Sequence, residues 1–168
     1  SPQAVPLNCT VHGIVQSEDV DYFVVDAKKG ERVTVEVEAI RLGVTMFDVY
    51  VAVMNAGRFE LSSSDDSALV WQDGVASIVA PEDGKYIIQV RDSSYGGDGN
   101  CHYRAHIGTF PRPSAVVPAG GRVGEPTTVK FLGDVAGDRE QQIALPTEPV
   151  LNYLVFAQDD KGVAPSGQ

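Results

Sequence analysis

Carboxylates gathered where loops converge are the first chemistry this sequence offers. Glu18, Asp19, Asp48, Asp65, Asp66, Asp73, Asp92 and Asp98 fall in four segments, 16–20, 41–48, 62–74 and 92–101. These segments alternate with runs of strand-like pattern, and in an up-and-down reading of such strands alternate connections lie at the same end of the fold. A calcium ion takes about six to eight oxygens at about 2.3 to 2.6 Å, and convergent Asp-rich loops supply them. Asp65, Asp66, Asp73 and Asp92 are the expected ligands, without an EF-hand or Gly-rich nonapeptide spacing behind them. The competing expectation is that each aspartate is a turn former whose side chain caps its own backbone.

Aromatic residues of the same loops offer a second chemistry. Trp71 lies in the long loop after Asp65-Asp66, and Tyr95 precedes Gly96-Gly97-Asp98-Gly99. Exposed rings there would form platforms for sugar rings or a peptide chain, whereas a single Trp more commonly plugs one end of a core. The three histidines invite a zinc reading that their spacing opposes. His102 and His106 share a strand face, but four residues of extended chain separate them by about 13 Å. If Cys9 and Cys101 face each other on antiparallel neighbours, His12 moves away from His102. Ser62-Ser63-Ser64-Asp65-Asp66 carries hydroxyls and acids, yet it lacks a Gly-x-Ser-x-Gly elbow, a nearby histidine or a Gly-rich phosphate loop. It reads as a polar hairpin loop, and nothing marks two of the carboxylates as a glycosidase pair.

The elements that must position these groups are strands. Period-two alternation runs from Cys9 to Gly108 and is clearest from Arg32 to Ala39. There Val33, Val35, Val37 and Ala39 point one way and Arg32, Thr34, Glu36 and Glu38 the other, giving one dry and one wet face. Similar runs predict strands over 9–16, 20–27, 48–55, 58–62, 75–80, 85–91 and 101–108, joined by turns such as Lys29-Gly30, Ala56-Gly57 and Asp83-Gly84. No capped apolar stripe of helical period is present. The predicted fold is all-β, an antiparallel two-sheet sandwich of jelly-roll type with about eight strands.

Thr109-Phe110-Pro111-Arg112-Pro113 breaks the pattern, because prolines so close together cannot sit in a central strand. The expected organisation is a sandwich over 1–108, a proline-rich linker over 109–117, and a short β-rich piece over 118–168. In that piece strands are predicted at 127–132, 140–145 and 150–158, followed by a loose tail from Asp159.

Composition narrows the function. A hydrophobic share of 43% with 21% charged residues is that of a globular protein, which excludes disorder throughout. The net charge of -10 argues against nucleic acid, since phosphates are held by Lys and Arg and the largest basic cluster is Lys28-Lys29. No apolar window of about 18 residues predicts a membrane span. The chain begins at Ser1, as a mature or excised fragment does. Its two cysteines, Cys9 and Cys101, have mostly apolar neighbours of the same parity, so both point inward. A bridge between them would close a loop of about 90 residues and contribute roughly 4 kcal/mol in the chain-entropy model. The alternative is two buried thiols.

One set of motifs carries a family resemblance. Gly13-Ile14 leads into Asp19-Val20-Asp21-Tyr22-Phe23; Lys29-Gly30-Glu31 and Arg41-Leu42-Gly43 precede Asp48. Ser64-Asp65-Asp66 is followed by Asp73, then by Pro81-Glu82-Asp83-Gly84-Lys85-Tyr86 and Tyr103-Arg104. Together these resemble the bacterial pre-peptidase C-terminal domain over residues 7–108. The form with Arg41-Leu42-Gly43 and a later Pro118-Ala119-Gly120-Gly121 is similar to one found in multidomain secreted or surface proteins of planctomycete-type bacteria. The segment after 108 looks like a partial immunoglobulin-like or TIG-like module.

The resemblance implies an extracellular β-sandwich appended to something larger, without catalysis, and it favours the Cys9–Cys101 disulfide. It implies a secreted, cell-surface or periplasmic protein with neighbouring domains as partners; with the loop residues above, the expected ligand is an extracellular protein or polysaccharide contacted by Trp71 and Tyr95, and the expected cofactor is calcium held by the acidic loops. A structural spacer without ligand is the alternative. One departure bears on the metal: calcium-binding relatives carry an acidic Glu-x-Glu-Pro-Asn segment before the first strand, and Ser1–Leu7 here offers no carboxylate.

Overall fold

Valine at every second position sets the layering of the first unit, Ser1–Thr109. The computed structural model describes residues 1–44, 47–67, 70 and 72–167. The unit contains β1 (Gln3–Ala4), β2 (Cys9–Ile14), β3 (Asp21–Ala27), β4 (Arg32–Glu38), β5 (Val49–Met54), β6 (Glu60–Ser64), β7 (Val75–Val79), β8 (Gly84–Asp92) and β9 (His102–Gly108), with a 3-10 helix at Ile40–Leu42. They form two sheets, ordered β1-β3-β8-β5-β6 and β2-β9-β4-β7. Every ladder is antiparallel except the short one between β1 and β3. Most successive strands cross from one sheet to the other, and each reverses the direction of the one before.

The inward parity of both sheets forms one core. Phe23 and Val25, then Val33, Val35 and Val37, meet Val49, Val51, Val53, Ile88, Val90, Tyr103 and Ile107. Each fully buried branched side chain contributes about 1.5 to 3 kcal/mol, so the alternation read from the sequence is the driving force of the fold.

Several motif residues act as fasteners of that core. The Tyr103 hydroxyl donates to Asp21 Oδ2 at 2.6 Å. A Cβ on Gly13 would collide with the Tyr103 ring, so glycine opens the space that this ring occupies. Burial first, and then the Asp21 bond, raise the Tyr103 hydroxyl well above the usual phenol range. Tyr86 donates its hydroxyl to the Glu82 carbonyl at 2.8 Å, and Asp83 Oδ1 accepts the Lys29 amide at 2.7 Å. These bonds pin the 28–31 turn and the 80–84 turn together.

The two cysteines are free, which corrects the expected disulfide. Register is the reason: Cys9 stands opposite Ile107, and Ile14 opposite His102, so Cys101 lies beyond the far end of the ladder. Six residues of strand separate the two positions by about 20 Å, whereas a bridge needs Cα atoms within about 7 Å. Both side chains do turn inward, and burial pushes both thiols up. They are protonated, weakly reactive hydrophobes.

The second unit, Phe110–Gln168, has its own small core. Strands β10 (Ala115–Val117), β11 (Pro126–Leu132) and β12 (Arg139–Ala144) form an antiparallel sheet, and β13 (Gln158–Asp159) pairs with β14 (Gly162–Val163). Val129, Phe131, Ala157 and Ala164 are buried together. The segment expected to be a linker is structured instead. Phe110 and Arg112 are buried, the Arg112 amide donates to Asp134 Oδ2 at 2.6 Å, and Ser114 donates to the Leu132 carbonyl. Prolines barred from a central strand still suit the extended approach to edge strand β10. The strand predicted over 150–158 is irregular for most of its length and leaves Leu151 and Leu154 exposed. The tail predicted to be loose forms the β13–β14 hairpin, because Asp159 Oδ1 accepts the Lys161 and Gly162 amides and closes the turn.

Candidate functional site

Strand reversal brings the acidic loops to one end of the first unit. The Glu18 amide donates to the Tyr95 carbonyl (2.9 Å), Ser93 to Asp48 (2.7 Å) and Val37 to Gly74 (3.0 Å), tying the loops in pairs. Asp73 is fully buried. Its Oδ1 accepts the Ala39 and Ile40 amides at 2.9 and 2.8 Å, while Oδ2 accepts the Arg41 amide at 3.3 Å and Arg41 Nε at 2.6 Å. Arg41 Nη2 then reaches Glu36 Oε1 at 3.0 Å and the Val37 carbonyl at 3.2 Å. Burial opposes the Arg41 charge, but the bonds and charges of Asp73 and Glu36 outweigh it and leave the guanidinium above its ordinary pKa. Gly43, at φ 68, ends the 3-10 helix in the left-handed conformation. Arg41-Leu42-Gly43 and Asp73 are thus one structural device.

Three other loop acids are engaged locally as well. Asp92 Oδ1 accepts the Ser94 and Gly96 amides at 2.9 and 2.8 Å. Asp98 Oδ1 accepts Asn100, and Asp19 Oδ1 accepts Val20. Asp65 and Asp66 are exposed. Among the described residues no three His, Cys, Asp or Glu side chains gather to hold a metal ion. Of the four expected ligands, Asp73 and Asp92 accept backbone amides, and Asp65 and Asp66 face solvent.

The aromatic surface around Tyr95 includes residues that the sequence did not single out. Tyr95 is 49% exposed and sits at φ 59, held by its amide on the Asp92 carbonyl. Arg91 lies between two rings, its guanidinium carbon 4.3 Å from the Tyr95 centroid and 3.9 Å from that of Tyr50. Its Nη1 donates to the Asp92 and Ser93 carbonyls at 2.8 Å each, which fixes the sandwich. The Tyr50 hydroxyl donates to Glu60 Oε2, and Ser63 donates to Glu60 Oε1 at 2.6 Å. Burial, then Glu60, raises the Tyr50 hydroxyl, while the Ser63 and Tyr50 bonds lower the Glu60 carboxyl. On the same outer face Arg58 stands 5.0 Å from the Tyr22 ring centroid. Each such contact contributes about 0.5 to 1 kcal/mol at an exposed site. Tyr50, Arg91, Tyr22 and Arg58 escaped sequence reasoning because only strand pairing makes them neighbours; their outward parity was the one available signal. Trp71 lies outside the described residues.

The hydroxyls of the 62–64 segment serve the hairpin. Ser62 Oγ accepts the Ser77 amide, Ser63 holds Glu60, and Ser64 donates to the Asp66 carbonyl. The histidines depart from expectation. The β2–β9 register sets His12 opposite Arg104 and Ile14 opposite His102, so His12 and His102 are diagonal neighbours rather than separated. His106 Nδ1 meets Thr10 Oγ1 at 2.9 Å, and its Nε2 lies 3.5 Å from Glu38 Oε2.

Residues 19–92 match the family model of the bacterial pre-peptidase C-terminal domain. Among solved structures the chain is similar to the pre-peptidase C-terminal domain of a collagenase from Bacillus anthracis, at 14% identity over 64% of this chain and 94% of that one, with a TM-score of 0.50. It is also similar to PliG, a periplasmic inhibitor of g-type lysozyme. The Aeromonas hydrophila protein shows 21% identity over 62% of this chain and 96% of its own, TM-score 0.46. The Salmonella Typhimurium protein shows 19% over 64% and 98%, TM-score 0.41. No curated protein sequence matches the chain. Residues 19–92 of the β-sandwich thus match the bacterial pre-peptidase C-terminal domain model, and the fold of the first unit is similar to that of such a domain.

Proposed function

We propose that the chain is a recognition module of a secreted, cell-surface or periplasmic protein, gripping an extended polymer across the outer face of its five-stranded sheet. The family comprises non-catalytic accessory domains of secreted bacterial proteins, and none of the described helices is long and apolar enough to cross a membrane. The observation that carries the reading is the Tyr50–Arg91–Tyr95 sandwich. Its guanidinium is anchored by backbone carbonyls, so the rings are fixed before any ligand arrives, and little side-chain entropy is lost on binding. Aromatic faces take sugar rings or apolar peptide side chains, and Arg91 adds charge beside them. The Tyr22–Arg58 pair extends the surface along the same face, as an elongated ligand requires.

The polymer is a protein or a polysaccharide, presented to the domain by the neighbouring domains of a larger chain. Peptide and saccharide arrays probed with the full chain and with Tyr95→Ala separate the two. A saturable signal that Tyr95→Ala removes supports the reading. A signal unchanged by Tyr95→Ala, or none on either array, leaves the structural spacer as the function.

A further inference from the structure

The chain's three histidines all lie on the outer faces of β2 and β9, and two of them converge. His12 Nε2 stands 3.3 Å from His102 Nδ1, with ring centroids 5.3 Å apart and planes 19° from parallel. At that separation the two ring nitrogens are within hydrogen-bond reach of each other. The centroid spacing of 5.3 Å is that of two rings whose nitrogens converge on one side of the pair.

A tetrahedral metal ion accounts for both numbers. Two imidazole nitrogens at about 2.0 to 2.1 Å from a tetrahedral ion stand about 3.3 to 3.4 Å apart, whereas cis positions of an octahedron would bring them to about 3.0 Å. Extending the tetrahedral triangle through each ring sets the centroids about 5.2 Å apart. We propose that His12 and His102 form a two-histidine site for a divalent transition-metal ion, zinc or copper, with two coordination positions left to water.

Three features of the fold prepare it. Both residues sit on a paired ladder, so their backbones are held by the β2–β9 register. His12 is exposed and His102 half-buried, which leaves water free to complete the coordination. Arg104, the cation directly across from His12, is drawn to Glu38 at 3.7 Å. Neutral imidazole pairs suit zinc and copper, while calcium prefers oxygen donors. The site therefore differs in chemistry and in place from the acidic loops.

The test is calorimetric titration of the full chain with zinc chloride, and separately with calcium chloride. One saturable zinc site per chain is expected, weakened at least tenfold in both His12→Ala and His102→Ala, kept in His106→Ala, and unaffected by excess calcium. His12→Gln and His102→Gln, with melts matching the parent, guard against loss of fold. Absence of saturable zinc binding, or binding that survives His12→Ala, overturns the proposal. Loss of array binding in Tyr95→Ala leaves zinc binding untouched, so the two readings fail separately.

Discussion

Removing Asp73 tests whether the motif acids build the fold or bind an ion. In Asp73→Ala the Ala39 and Ile40 amides lose their acceptor, and Arg41, with 19% of its side chain exposed, loses the partner at 2.6 Å. Breaking a buried ion pair from one side costs about 3 to 5 kcal/mol, and an orphaned buried amide about 1 to 3 kcal/mol. The two overlap, since Glu36 still holds Arg41 Nη2 at 3.0 Å, so a loss of about 4 kcal/mol is expected. For a unit of about 110 residues this lowers the melting midpoint by at least about 15 °C. Asp73→Asn keeps an oxygen for the two amides but loses the charge facing Arg41, and falls between, near 2 kcal/mol. The assay is a set of thermal and urea melts of the full chain, followed by circular dichroism in millimolar calcium and again in EDTA. The loss should be the same in both buffers. A change within about 1 kcal/mol of wild type, or a loss that appears in calcium and vanishes in EDTA, would refute the structural account.

Two further outcomes follow from side-chain environments. Glu60 has a folded pKa held below its ordinary value by Ser63 and Tyr50. It therefore adds stability above the unfolded carboxyl pKa of about 4.3, and that stability fades as pH falls through the lower folded value. Glu60→Gln should melt below wild type at pH 7, with the gap closing under pH 4; a gap constant across that range would contradict the sign. Thiol titration of the unfolded, unreduced chain should find Cys9 and Cys101 both free, and reductant should leave the melt unchanged. A reductant-dependent midpoint would restore the disulfide.

What the sequence determined by itself was the part governed by local periodicity. Val33, Val35 and Val37 face one way because side chains alternate along any extended chain, so strand positions, the all-β class and the shared end of the acidic loops were legible before any coordinate. Family motifs were legible too, yet their roles were not: Gly13, Asp21 and Tyr103 are distant in the chain and become one fastener only when β9 packs beneath β3. Tertiary structure decided everything that depends on register. One residue of slip turns a side chain to the other face, and the observed pairing of Cys9 with Ile107 carried the cysteines apart while bringing His12 to His102. It also decided which carboxylates remain open to solvent, because a hydrogen bond to a distant amide leaves no local mark. Asp73 and Asp65 look alike as letters, and only the 3-10 helix whose first amides Asp73 accepts separates a fastener from a surface charge.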